Sequence, residues 1–319
     1  MKILLTGGVG FVGSNLTPAL LKNPLVSELT VLDSLRPTAN PEIISSFCNS
    51  PKFNFVNGDI RDSELVDNLV RDTDVVINLA GETHVDKSIA DSKLFFEVNV
   101  LGTHNLLQAS LKHGNKRFIH ISTDEVWGHS VNGTIFNEQS PYAPRNPYAA
   151  SKASADHLVR SYGITHAVPF NIVHFTNLYG PWQYPDKLIP KSILRLINER
   201  KIQIHGDGKN MRMWLHVEDS VSGVTKVLER GVPGESYALG SHDEKENIEV
   251  ARLLLEFFGR PTSEIEFVTG RPGNDLRYCV SYDKIHKNLG WEPRVDFQDG
   301  LKDEIDWFKK HGDWAGRRR

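Results

Sequence analysis

Lys2-Ile3-Leu4-Leu5-Thr6-Gly7-Gly8-Val9-Gly10-Phe11-Val12-Gly13 stands near the start of the chain, and its reading decides the fold. A short apolar run, Lys2 to Leu5, leads into a Gly-x-x-Gly-x-x-Gly series and then a helical pattern from Gly13 to Lys22, which Pro18 weakens. Strand, glycine turn and helix together present free N–H groups at a helix N-terminus, where they stabilise an anion. Glycines at those places permit the tight turn and let the backbone approach a pyrophosphate closely. Glycines also serve ordinary turns, so the surroundings must carry the argument.

Working outward, further short apolar runs lie at Leu29–Leu32, Phe53–Val56, Val75–Leu79 and Arg117–Ile121. Helical stretches separate them: Ser63 to Arg71, a helix after Asn99 with Val100, Leu106, Leu107 and Leu111, and a longer one over Tyr148 to Tyr162. Near-continuous apolar strands alternating with helices predict an α/β fold, a doubly wound parallel sheet of the Rossmann type covered on both faces. Asp33 ends the second strand about twenty residues after Gly13, where a carboxylate can accept hydrogen bonds from an adenosine ribose. Beyond Phe175 the texture changes. Pro181, Pro185 and Pro190 punctuate a loop, and helices are expected at Ile193–Glu199, Ser220–Glu229, Asn247–Phe258 and Leu301–Lys310. We expect a dinucleotide-binding domain over residues 1–175, to which later segments can return, and a smaller α/β substrate lobe over 176–319.

Composition narrows the function classes. The 319 residues carry 37 Lys and Arg against 40 Asp and Glu, a net charge of −3, and the only basic run is Arg317-Arg318-Arg319. Such a chain offers no electrostatic footprint for nucleic acid. Hydrophobic residues at 39% and charged residues at 24% fit a globular chain and not a disordered one. No apolar run approaches the ~18–20 residues that span a bilayer, and no signal-like stretch is present, so neither a membrane partner nor export is expected. Cys48 and Cys279 form no zinc or redox spacing. No metal is expected, and two distant cysteines suit free thiols in a reducing cytoplasm.

Two further motifs carry chemistry. In Tyr148-Ala149-Ala150-Ser151-Lys152 the tyrosine and lysine lie one helical turn apart on one face. A phenol of pKa ~10 is a poor base at neutral pH unless a neighbouring cation favours its anion. The second motif is His120-Ile121-Ser122-Thr123-Asp124-Glu125-Val126-Trp127-Gly128. It ends a strand at the carboxyl edge, where parallel sheets present their reactive groups. Adjacent carboxylates can address two atoms of one substrate, and their repulsion raises one pKa, making an acid and a base from one residue class.

With these residues on the page, the chain resembles an extended short-chain dehydrogenase/reductase and, within it, the dTDP-glucose 4,6-dehydratase family. The matching segments are Gly7–Gly13, Ala80–Asp86, Ser122–Val126, Tyr148–Lys152, Asn177–Pro181, Gln183–Pro190, Gly206–Asn210, Arg271–Tyr278 and Leu289–Trp291, and the similarity runs over essentially the whole chain. The resemblance implies NAD as cofactor, held by Gly7, Gly10, Phe11, Val12, Gly13, Asp33, Asp59, Ile60, Leu79, Ala80, Asn99, Tyr148 and Lys152. Arg36 is a counter-argument for NADP, to which Asp33 is given precedence. The resemblance also implies a nucleotide-diphosphate hexose as substrate, with Tyr148 taking the proton of the sugar 4-hydroxyl while hydride leaves that carbon for NAD. Thr123 would hydrogen-bond the same oxygen, and Lys152 would hold the nicotinamide ribose and depress the tyrosine pKa. Glu125 would remove the C5 proton and Asp124 would protonate the departing C6 oxygen. The hydride then returns to C6. His84, Thr123, Asn177, Lys187, Leu188, Gln203, His205, Arg212, Asn247 and Arg271 match positions near the sugar, the diphosphate or the nucleoside. A homodimer is implied too, through helices beginning near Asn99 and Tyr148.

Five residues depart from the family pattern: Trp127 for a tyrosine, Leu178 for a polar residue, Met213 for an aspartate, and Gln203 and His205 for a proline and a tyrosine. None is a hydride or dehydration residue. They leave open UDP-glucose or UDP-GlcNAc in place of dTDP-glucose. A 4-epimerase needs no Asp-Glu pair and stands behind the dehydratase, and a non-catalytic NAD-sensing protein stands behind both.

Overall fold

The computed structural model describes residues 1–114, 116–131, 133–270 and 275–316, so Arg271 and the run Arg317–Arg319 lie outside the described residues. The strands are β1 (Lys2–Thr6), β2 (Glu28–Asp33), β3 (Phe53–Asn57), β4 (Val75–Asn78), β5 (Arg117–Thr123), β6 (Phe170–Phe175), β7 (Asn177–Tyr179), β8 (Ile202–His205), β9 (Met211–His216), β10 (Ser236–Leu239), β11 (Asp243–Glu246) and β12 (Ile265–Val268). Seven form one parallel sheet in the order β10-β6-β5-β4-β1-β2-β3. Every residue of β4 and β6 is buried, as expected where helices cover both faces. The strand order reverses between β1 and β4, and such a switch point opens a crevice at the carboxyl ends of the strands. This is the doubly wound sheet expected from the sequence.

Local differences have local reasons. The first helix runs Phe11–Lys22 straight through Pro18, because its packing on Leu16 and Leu20, both fully buried, outweighs one missing N–H. The helical region around Asn99 begins at Lys93 and passes through a π-type turn, Glu97–Gly102, before the α-helix Thr103–Lys112. Gly102 is required there, since a Cβ would meet the Ile60 side chain at 2.5 Å. The long helix extends to Pro147–His166, with Asn146 as N-cap and Pro at its first position.

β10, late in the chain, returns to the large sheet beside β6. The remaining later strands make two small sheets, β11-β9-β7 and β12-β8. Around them a second apolar cluster gathers Ile189, Ile193, Trp214, Leu254, Phe297 and Leu301. The small sheets stand over the carboxyl edge of the large one and form the far wall of the cleft. No helix among the described residues is long and apolar enough to cross a membrane.

Candidate functional site

A cleft of about 510 Å³ follows the carboxyl edge of the large sheet and continues between it and the small sheets. Its floor at one end is the glycine turn. Gly7 has φ +71°, and a Cβ there would lie 2.8 Å from the Ala80 backbone; one on Gly13 would run into the carbonyl of Gly7. No side chain caps the first turn of the helix Phe11–Lys22, and Gly10, Phe11, Val12 and Gly13 line the cleft. The turn is therefore a cradle whose shape only glycine keeps, which fits a pyrophosphate. Asp33 accepts from Val9 N at 3.2 Å and Leu35 N at 2.9 Å, and burial pushes its carboxyl up against those two bonds. Arg36 is turned toward Glu82, 3.6 Å away.

Gly10, Phe11, Val12, Asp59, Ile60, Leu79 and Ala80 line the same end of the cleft. Asn99 is the exception. It lies behind the wall, where Oδ1 accepts from Glu82 N at 2.9 Å and Nδ2 donates to the Glu82 carbonyl at 3.1 Å and Ser151 Oγ at 2.8 Å. Its bonds hold the wall segment Gly81–Glu82.

At the centre, β5 delivers Thr123 and a 3-10 turn, Asp124–Trp127, follows at once. The Thr123 hydroxyl accepts from Glu125 N at 3.3 Å, which fixes the turn and splays the two carboxyl groups apart. Asp124 is 2% exposed, and its Oδ2 lies 2.9 Å from Thr176 Oγ1, which is also 3.1 Å from the Met213 carbonyl. A hydroxyl has one proton to give. A proton given by Thr176 to Asp124 favours the carboxylate, but burial and the Glu125 charge outweigh it and push the Asp124 carboxyl up to about 7. Glu125 is also pushed up by burial, but Asn146 Nδ2 donates to its Oε2 at 2.9 Å and favours the anion. The same Asn146 accepts from Ala149 N at 2.8 Å, capping the helix that carries Tyr148 and Lys152.

Tyr148 is buried, and burial with the Glu125 charge holds its phenol above the ordinary value while the Thr123 hydroxyl opposes them. Lys152 donates to the Ile121 carbonyl at 2.6 Å and lies 3.3 Å from His120 Nε2; burial pushes its ammonium down to about 8.

The outer half of the cleft is lined by His84, Asn177, Lys187, Leu188, Gln203, His205, Arg212 and Asn247. Arg212 is 8% exposed, with its guanidinium 4.5 Å over the Tyr278 ring and bonds to the carbonyls of Met211 and Asp275. His84 Nε2 lies 3.4 Å from Asp186 Oδ2, and Lys187 Nζ donates to the Thr83 carbonyl at 3.4 Å, so both residues join the two walls. Gln203 bonds Glu266 at 3.0 Å and His205 faces the Thr269 carbonyl at 2.9 Å, leaving both side chains at the rim. Arg271 lies outside the described residues.

Sequence reading missed Asn146, Thr176 and Tyr278 as cleft-lining side chains. Asn146-Pro147 signals a helix start, but nothing local ties that cap to Glu125. The departures sort themselves. Trp127 and Met213 are packed in one apolar cluster with Ala153 and Cys279 behind the Asp124 turn, whereas Leu178, Gln203 and His205 line the cleft.

Comparisons with known proteins agree with this geometry. A family model described as GDP-mannose 4,6 dehydratase matches residues 4–304. The chain is 42% identical to the dTDP-glucose 4,6-dehydratase of Actinoplanes sp., over 98% of this chain and 99% of that protein. It is 46% identical to the low-salt glycan biosynthesis protein Agl12 of Haloferax volcanii, over 97% of this chain and 98% of that one. Among solved structures it is similar to DesIV, a dTDP-glucose 4,6-dehydratase from Streptomyces venezuelae with NAD bound, at a TM-score of 0.97 and 38% identity, covering all of both chains.

Proposed function

We propose that this chain, which belongs to the GDP-mannose 4,6 dehydratase family, is an NAD-dependent nucleotide-sugar 4,6-dehydratase acting on dTDP-glucose. The observation that carries the reading is the pair at the end of β5. Asp124 is disposed to carry a proton by its burial and by the charge of the adjacent Glu125, whose own anion Asn146 supports. An acid and a base a single residue apart are what removal of water across two adjacent carbons requires. A 4-epimerase has no use for either.

NAD, when bound, supplies the hydride acceptor for C4 and the donor for C6. Tyr148 takes the proton of the 4-hydroxyl, and Thr123 orients the same oxygen. For this the raised phenol of Tyr148 relies on the Thr123 hydroxyl, and on the positive nicotinamide that NAD would bring, to favour its anion. Lys152, its ammonium directed by the Ile121 carbonyl, positions the nicotinamide ribose. Once C4 is a ketone, Glu125 removes the acidified C5 proton. Asp124 donates to the C6 oxygen as it leaves as water, and Glu125 returns its proton to C5 as the C5–C6 double bond is reduced. Asp33 meets the adenosine ribose and Arg36 is turned toward Glu82, which supports NAD over NADP.

The nucleotide-binding role belongs to residues 1–175 with β10, and the sugar nucleotide is held mainly by residues 176–319. Lys187 and Arg212 offer positive charge to the diphosphate. Gln203, His205 and Leu178 leave room for a second reading, in which a UDP-sugar is accepted. The protein is a homodimer: the helices Thr103–Lys112 and Pro147–His166 pack together, and Leu101 and Ile164 near them are 57% and 85% exposed, a surface a second copy would cover. Unpaired thiols at Cys48 and Cys279 suit the cytoplasm.

Incubation with dTDP-glucose, UDP-glucose and UDP-GlcNAc, followed by mass spectrometry, tests the function. Loss of one water from dTDP-glucose, giving a 4-keto-6-deoxy sugar that absorbs in alkali, is expected. Product of unchanged mass would make the chain an epimerase. A monomer by light scattering at micromolar concentration would remove the dimer.

A further inference from the structure

Behind Lys152, on the side away from the cleft, lies a closed set of buried polar side chains that the dehydration chemistry does not use. His120, on β5, places Nε2 3.3 Å from Lys152 Nζ and 3.4 Å from Asp156 Oδ1. Asp156 follows Lys152 by one helical turn and is wholly buried. Its Oδ2 accepts from Ser122 Oγ at 2.9 Å and from Tyr142 OH at 2.9 Å, and lies 3.0 Å from His174 Nε2. On the other side of the His120 ring, Asn78 Nδ2 approaches Nδ1 at 3.2 Å. Asn78 Oδ1 already accepts from Thr6, so its amide donates to Nδ1. The single proton of a neutral imidazole is then on Nε2, between Asp156 and Lys152.

An ammonium buried in this place, with one carbonyl acceptor, loses its charge unless an anion compensates. Among the described residues, Asp156 is the anion that opposes the burial of Lys152, through His120 that lies between them. We infer that His120 and Asp156 form a buried charge-setting pair that keeps Lys152 an ammonium and aimed at the cleft; they are positioning residues for the oxidation step. The inference rests on the dehydratase reading for the purpose of that ammonium.

The groups facing the trio are His174 on β6, Tyr142 before the long helix, and Tyr148, Asp124 and Glu125 at the cleft, with Arg160 beyond Tyr142. His174 and Tyr142 bond Asp156 and hold its carboxylate ionised, so over the range in which Lys152 titrates Asp156 stays charged. Removing that charge lowers the pH at which Lys152 loses its proton.

The test follows the Lys152 side chain by NMR titration of Cε-labelled lysine in the purified protein, with Lys152→Arg for assignment. Asp156→Asn is expected to move the Lys152 midpoint down by about one pH unit or more, a tenfold change in the ammonium equilibrium. In single turnovers the alkaline limb of reduced-nicotinamide formation should move with it. Should Asp156→Asn not fold, His120→Leu against His120→Gln decides. The leucine should lower the midpoint, while the glutamine, whose amide can bond both Lys152 and Asp156, should restore it. A Lys152 midpoint unmoved in Asp156→Asn, or equal in the two His120 variants, overturns the inference. The titration needs no substrate, so a chain that forms no 4-keto-6-deoxy sugar refutes the proposed function and leaves this result to stand by itself.

Discussion

At the inner end of the cleft Asp124, Tyr148 and Lys152 are 2%, 8% and 6% exposed, and Asp124 and Lys152 each bond a neighbour in the chain itself. At the outer end the side chain of Lys187 is 42% exposed, and Gln203 and His205 sit at the rim on neighbours of the β8–β12 pair. The inner groups are pre-organised before any substrate arrives, which is where electrostatic catalysis gains most. The exposed outer groups keep rotamer freedom and contribute binding that changes little between ground and transition states, while Arg212, 8% exposed, is held by Tyr278 and two carbonyls. Substitutions inside should therefore cost turnover, and substitutions outside should cost affinity or selectivity. The cleft-lining departures from the family pattern, Leu178, Gln203 and His205, all lie beyond the inner groups.

The largest expected break is Tyr148→Phe. Without the phenol the 4-hydroxyl keeps its proton, and reduced-nicotinamide absorbance in a single turnover should fall by roughly 10²–10⁴-fold. Parent-like oxidation would remove Tyr148 from the inner machinery. Gly13→Ala comes next. Its Cβ would run into the Gly7 carbonyl, and the displaced turn should weaken NAD binding by about 2 kcal/mol, on the order of 30-fold by calorimetry.

The inner end also predicts a pH limb. Asp124, held up at about 7 by burial and the Glu125 charge, gives its proton only while protonated. Dehydration should therefore decline about tenfold for each pH unit above that value, while formation of the C4 ketone does not share the limb. A dehydration rate flat from pH 6 to 9 would contradict this.

Outside, Arg212→Lys loses the planar contact with Tyr278 and the forked donors, so KM should rise by roughly tenfold with kcat within about twofold. A fall in kcat with unchanged KM would place Arg212 among the inner groups. The smallest effect is reserved for Gln203→Ala and His205→Ala, which should shift preference between thymine and uracil nucleotides by a few-fold, roughly 2–10. Competition between dTDP-glucose and UDP-glucose in one tube measures it.

The first five strands were legible because each is a short apolar run that parallel pairing buries on both faces. β10 was not. Ser236-Tyr237-Ala238-Leu239 is four residues long, and its partner β6 lies some sixty positions earlier, so only tertiary pairing selects it. β11, Asp243-Glu244-Lys245-Glu246, is all charged and pairs on an edge that no apolar pattern announces. The site shows the same division. Thr123, Asp124, Glu125, Tyr148 and Lys152 are contiguous motifs and all reach one cleft. Asn146 and Thr176 act through single side-chain bonds to residues far away in sequence, and no local spacing encodes them.

The central claim is that Asp124 is the acid that expels water, and Asp124→Asn tests it most directly. An amide cannot deliver that proton, whereas Tyr148, Thr123 and Lys152 remain to carry out oxidation. In a single turnover with dTDP-glucose, the variant should form reduced nicotinamide near the parent rate. The quenched sugar should be a 4-keto hexose that keeps its 6-hydroxyl, with water loss slowed by roughly 10²–10⁴-fold. Dehydration at the parent rate would contradict the account and leave the Asp124–Glu125 pair a structural feature of the turn after β5.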